Sequence, residues 1–83
     1  MRYFFHLCDG ITKLLDPEGR ELEAEDVPAI TLGEARAIIA ADAKEGHIYL
    51  DQRIEVLNGA GELIHRLQFE DALRITHRAV NNH

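Results

Sequence analysis

Stretches in which apolar and polar residues alternate punctuate this chain, and one longer stretch carries apolar residues at spacings of three and four. From Arg2 to Cys8 the run Arg-Tyr-Phe-Phe-His-Leu-Cys is rich in aromatics that suit a pleated surface, and Asp9-Gly10 follows as a turn pair that tolerates positive φ. A two-residue loop there predicts a hairpin in which Cys8 faces Ile11, Leu7 faces Thr12, His6 faces Lys13 and Phe5 faces Leu14, with the second strand ending near Leu15. Asp16-Pro17-Glu18-Gly19 has the residue distribution of a type I turn, because proline pre-sets φ and aspartate can bond the backbone ahead. From Arg20 to Ile30 the chain reads as irregular, with a short extended piece at Glu21 and Leu22 and a breaker at Pro28.

Thr31-Leu32-Gly33-Glu34 is a capping box and predicts a helix start. Ala35, Ile38, Ile39, Asp42 and Ala43 then share a narrow stripe, and Gly46 is placed to end the helix in the left-handed conformation. Ile48, Leu50, Ile54 and Val56 alternate with polar residues in a third strand from Ile48 to Leu57, and Asn58-Gly59-Ala60-Gly61 turns the chain into a fourth from Leu63 to Phe69. Glu70 to Val80 places acids first and bases last, as the helix dipole prefers, and predicts a second helix; Asn81-Asn82-His83 is expected to fray. The order β-β-α-β-β-α predicts one α+β domain over residues 1–83, an antiparallel four-stranded sheet with a helix packed on one face.

Composition narrows the class. Apolar residues at 46% and charged residues at 29% are those of a folded globule, and 83 residues give it only a thin core. No run approaches the roughly 18 apolar residues that cross a membrane, and the opening Met1-Arg2-Tyr3-Phe4-Phe5-His6 has no signal-peptide pattern, so a cytoplasmic protein is expected. The single cysteine, Cys8, has no internal partner for a disulfide. Residues 1–42 hold nine acids and four bases and residues 43–83 six acids and five bases, so the net −5 and −1 sum to −6. The densest charge cluster, from Asp16 to Asp26, is acidic, which argues against nucleic acid as a partner.

Candidate chemistry is sparse. His6, His47, His65, His77 and His83 show no metal-ligand spacing, but His6 and Cys8 share a strand face and His65 lies on another strand, so the three form a candidate soft-metal or small-ligand site; no cofactor is otherwise expected. Cys8, His6 and Asp9 lie close in sequence, yet two residue rises of about 7 Å separate His6 from Cys8, too far for an easy hydrogen bond, and catalysis is not expected. Gly59-Ala60-Gly61 precedes a strand where a phosphate loop precedes a helix. Strand one wants cover on both faces, with Tyr3, Phe5 and Leu7 on one side and Phe4 and Cys8 on the other. One helix covers one face; the C-terminal helix or a second copy of the chain covers the other, which makes Tyr3, Phe4 and Phe5 candidate interface residues of a homodimer.

Several short motifs in order, Tyr3-Phe4-Phe5-His6-Leu7 with Asp9-Gly10, Asp16-Pro17-Glu18-Gly19-Arg20-Glu21, Glu34-Ala35, Arg53-Ile54-Glu55-Val56, Gly61 and Phe69-Glu70-Asp71-Ala72, resemble a bacterial family of small stand-alone proteins known only as a domain of unknown function. The resemblance covers about residues 2 to 73 and implies a compact, soluble bacterial domain with no assigned activity, substrate or catalytic residue. Arg2-Tyr3-Phe4 and Thr31-Leu32-Gly33-Glu34-Ala35 are also similar to the N-terminal domain of HicB-type antitoxins, which would imply a regulator that blocks a toxin. Against that likeness, Asp26-Val27-Pro28-Ala29 stands where those proteins carry an Asp-Leu-Pro-Gly-like segment, and no room remains for a separate DNA-binding domain. The residues themselves favour a non-enzymatic protein-interaction module that self-associates, over the ligand or metal site and the antitoxin.

Overall fold

A computed structural model describes residues 1–78. Strand β1 (Arg2–Cys8) is central, and every pairing it makes is antiparallel. On one side it runs beside β4 (Arg53–Asn58) from Tyr3 opposite Asn58 to Cys8 opposite Arg53, and β4 continues into β5 (Leu63–Gln68). On its other side it meets two short strands in turn, β2 (Lys13–Leu14) opposite Leu7 and Cys8, and β3 (Arg20–Glu21) opposite Arg2 and Tyr3. The sheet therefore has the order β2-β1-β4-β5 with β3 also on β1, five strands where the residue pattern predicts four.

The first hairpin is looser than the pattern suggests. Cys8 faces Lys13 and Leu7 faces Leu14, so the loop holds four residues, Asp9 to Thr12. A two-residue loop of the favoured type needs positive φ at both central positions, and only Gly10 adopts it. Asp9 instead accepts from the amides of Ile11 (2.9 Å) and Thr12 (2.7 Å), which organises the wider turn. The register moves by two residues, so each side chain keeps its predicted face.

The helix α1 (Val27–Lys44) begins four residues before the predicted start. Pro28 opens it, because the first turn has no use for the missing N–H. A short 3-10 turn, Ala24–Asp26, leads in. Thr31 is then an interior residue with no solvent exposure, and its hydroxyl donates to the Val27 carbonyl at 2.7 Å. Glu34, the other half of the capping box, pairs with Arg20 at 3.0 Å. At the far end Gly46 takes φ +87° and donates to the Ala43 carbonyl, as predicted for the stop.

Val27, Thr31, Ala35 and Ile39, one turn apart, form the buried stripe of α1; Ala43 of the predicted stripe is exposed. The stripe packs on Tyr3, Ile54 and Val56 of the sheet, and Phe69 and Ala72 close the core from the C-terminal side. Arg36 on α1 donates to the Ala72 carbonyl at 2.8 Å and fastens that side.

Two further expectations are corrected. The strand predicted from Ile48 begins at Arg53, because β1 ends at Cys8 and offers residues 48–52 no ladder to join. Ile48 and Tyr49 are exposed, and the Tyr49 ring stacks on His47 at 3.9 Å. The predicted second helix is replaced by a 3-10 turn at Phe69–Asp71, and residues 72–78 are not helical. The side chains from Arg74 to Arg78 are exposed and contribute nothing to the core, and a helix this short does not persist alone. Ala79, Val80 and the predicted frayed end, 81–83, lie outside the described residues.

Candidate functional site

Cross-strand partners point to the same face, so the register assigns every strand residue a side. Tyr3, Phe5 and Leu7 of β1, Ile54 and Val56 of β4, and His65 and Leu67 of β5 face α1. The opposite face carries Phe4, His6 and Cys8 of β1, Arg53, Glu55 and Leu57 of β4, and Arg66 and Gln68 of β5. Among the described residues no helix or strand covers this outer face, although the turn from Asp16 to Gly19 lies against its Phe4 and His6.

The candidate interface residues therefore divide. Tyr3 is 3% exposed inside the core, and Phe5 packs against that core beneath the Arg20 guanidinium, whose carbon sits 5.2 Å from the ring centroid. Neither offers a surface. Phe4 alone lies on the outer face, half-buried, with its ring against the backbone of Gly19.

The candidate metal residues divide too. His6 and Cys8 lie on the outer face, whereas His65 stands opposite Val56 on the helix side, so the sheet separates it from the other two. Among the described residues no three His, Cys, Asp or Glu side chains converge as ligands. His6 is occupied otherwise: its Nδ1 accepts from the Asp16 amide at 3.0 Å. Cys8 is 2% exposed between Lys13 and Arg53, and burial, followed by the Glu55 charge, pushes its thiol pKa up, away from the reactive thiolate.

Asp16 fills a gap in the sheet. Between β2 and β3 the free edge of β1 has no backbone partner, and there the Asp16 carboxylate accepts from the Phe5 amide at 3.1 Å. Its other oxygen accepts from Gly19 (3.1 Å) and Glu18 (3.3 Å). Burial acts to raise the Asp16 pKa, but these amides and the nearby His6 outweigh it and hold the carboxyl below the usual range. Gly19 is needed at φ +70°, since a Cβ there would sit 2.8 Å from both the Tyr3 carbonyl oxygen and the Phe4 ring.

At the centre of the outer face Glu55 gathers three cations, Arg53 at 2.9 Å, Lys13 at 3.2 Å and Arg66 at 3.9 Å. The Arg53 hydrogen bond, with Lys13 behind it, prevails over burial and lowers the Glu55 pKa. This cluster links β2, β4 and β5 across the outer face, and with three cations on one carboxylate it keeps a net positive charge.

Beside it lies an apolar row that single-strand alternation does not reveal. Phe4 faces Leu57, and Leu57 faces Leu63. The β4–β5 register slips between Val56 and Leu57, so β5 carries one extra residue there. That bulge brings both Leu63 and Ile64 to the outer face, 50% and 44% exposed. The one signal in the sequence is the adjacent pair Leu63-Ile64, which breaks the period of two. Phe4, Leu57, Leu63 and Ile64 thus make one apolar patch across three strands, rimmed by Arg66 and Glu55 and reaching the free edge of β5.

Comparison with known proteins adds one match. A family described as a domain of unknown function, DUF6894, matches residues 2–70. No curated protein and no solved structure matches the chain.

Proposed function

The chain belongs to the DUF6894 family of domains of unknown function, and from its own surface we propose that it is a non-enzymatic interaction module that binds a second copy of itself through the uncovered face of its sheet. The observation that carries this reading is the patch of Phe4, Leu57, Leu63 and Ile64, apolar residues of three adjacent strands, in which Leu63 and Ile64 stand exposed and Phe4 is partly covered by the Gly19 turn. An apolar centre with a charged rim is the anatomy of a protein interface. The exposed apolar residues of the first hairpin do not form such a surface. Leu14 and Leu15 are consecutive and point to opposite sides, and Ile11 stands alone on the hairpin loop. A thin-cored domain also gains proportionately more from burying a shared face than a large one does.

Light scattering of the purified chain over a concentration series tests the reading. The wild type is expected to move from monomer to dimer as concentration rises, while Ile64→Glu stays monomeric with an unchanged circular dichroism spectrum. Ile64 is chosen because its exposure spares the fold. A wild type that remains monomeric throughout overturns the proposal.

A further inference from the structure

The cationic end of the outer face encloses a cleft that neither the core nor the apolar patch uses. Cys8 forms its floor, and the two residues paired with Cys8 on either side, Lys13 of β2 and Arg53 of β4, form its walls. Gly10, Ile11 and Thr12 of the hairpin loop close one end, and the enclosed space is about 140 Å³. No carboxylate lines it. Glu55 lies two residues further along β4, and the Asp9 carboxylate is held by the amides of Ile11 and Thr12.

Charge and donors at this end exceed what Glu55 uses. Three cations, Lys13, Arg53 and Arg66, against one carboxylate leave +2 here, in a chain whose formal net charge is −6. Arg53 engages Glu55 through Nε, and its two terminal nitrogens have no hydrogen-bond partner among the described residues; the same holds for the Gly10 amide and the Thr12 hydroxyl. A guanidinium fork grips an oxyanion with parallel N–H bonds, and a lysine ammonium adds a point charge. Burial, followed by the Glu55 charge, pushes the Cys8 thiol pKa up, so at neutral pH the floor is an uncharged thiol that does not repel an anion. At about 30 Å³ per water molecule, the cleft has room for about four or five, close to the size of a tetrahedral oxyanion and well short of the roughly 300 Å³ that larger ligands occupy. We propose that this cleft is a binding site for a phosphate group, held by Arg53 and Lys13 from its two walls and by Gly10 and Thr12 at its end. The site does not depend on self-association, because Leu63 and Ile64 lie at the other end of the face.

Titration of the isotope-labelled chain with inorganic phosphate, followed by NMR in about 0.15 M sodium chloride, tests the site; at that ionic strength exposed charges more than about 8 Å apart are largely screened from one another. Saturable shifts are expected at the amides of Gly10 to Lys13 and at the Arg53 side chain, and none at Leu63 or Ile64, where contacts between copies would register. Lys13→Gln and Arg53→Gln should each weaken binding about tenfold, the loss of one charge-assisted contact. Lys13 is exposed, so its replacement spares the fold. Glu55→Gln should tighten binding, because it releases both cations to the ligand. Arg66→Gln, on a strand about 10 Å from β1, should change it less than about twofold. Phosphoserine titrated in parallel identifies the source: tighter binding than inorganic phosphate assigns the site to a phosphate carried on a larger molecule, and equal or weaker binding to the free anion. Shifts that never saturate, that sodium chloride reproduces at equal ionic strength, or that persist unchanged in both Lys13→Gln and Arg53→Gln would overturn the site.

Discussion

Replacing Asp16 by alanine should remove a large share of the stability of this domain. The carboxylate accepts from the amides of Phe5 at 3.1 Å, Gly19 at 3.1 Å and Glu18 at 3.3 Å. Glu18 is exposed, so water replaces its lost acceptor, but the amides of Phe5 and Gly19 are part-buried in the sheet edge. Hydrogen bonds to a charged group contribute about 1.5–3 kcal/mol each, and with partial access of water the two together should cost about 2–4 kcal/mol. A domain of this length holds about 4–12 kcal/mol in all. At about 4–8 °C per kcal/mol, the thermal midpoint should fall by about 10–30 °C.

Urea and thermal unfolding followed by circular dichroism measure that loss. Asp16→Asn should fall between wild type and Asp16→Ala, since it keeps one carbonyl acceptor and turns an NH2 toward the remaining amides. The pH dependence has a fixed sign. The folded carboxyl titrates below its unfolded value of about 3.9, so its stabilisation is complete above that pH and is lost as pH falls through the lower folded value. The gap between wild type and Asp16→Asn should therefore narrow in acid. A loss under about 0.5 kcal/mol for Asp16→Ala at neutral pH, the range of an ordinary surface substitution, would refute the reasoning.

Gly19→Ala and Gly46→Ala separate backbone strain from crowding. Both positions have positive φ, which costs alanine about 1–2 kcal/mol, but only at Gly19 does the new Cβ strike the Tyr3 carbonyl and the Phe4 ring; chemical denaturation should show the larger loss there, and equal losses would contradict the tight turn. Thr31 distinguishes a cap from a core residue. At an N-cap Thr31→Asp would be harmless, whereas in the buried stripe it should cost more than about 3 kcal/mol or prevent folding, and Thr31→Val, of nearly the same shape, should fold with a loss near 1 kcal/mol.

The parts of the fold that were legible in the sequence are those fixed by neighbours along the chain. Asn58-Gly59 marked the second hairpin, Gly46 the helix end, and the aromatic run Arg2 to Cys8 the central strand. Residues whose role depends on distant partners are not legible in this way. Thr31 has cap chemistry, but Val27 and Pro28 extend the helix because the sheet is there to bury Val27 and Thr31. Ile48 and Leu50 alternate like a strand, yet no partner strand reaches them. Of the site, alternation along the first strand places Phe4 on the face opposite Tyr3 and Phe5, and a spare face follows from it. The patch itself was hidden, because it needs the bulge at Leu63 and Ile64 and the pairing of Leu57 with Phe4. The division of His65 from His6 and Cys8 was hidden for the same reason: relative faces of two strands are a property of register, which neither strand encodes alone.

NMR chemical shifts of Leu57, Leu63 and Ile64 across a concentration series test self-association through the uncovered face most directly. The account predicts shifts that grow with concentration and centre on Leu63 and Ile64, the most exposed apolar residues of that face, and that vanish in Ile64→Glu. Spectra that stay the same at every concentration would contradict it.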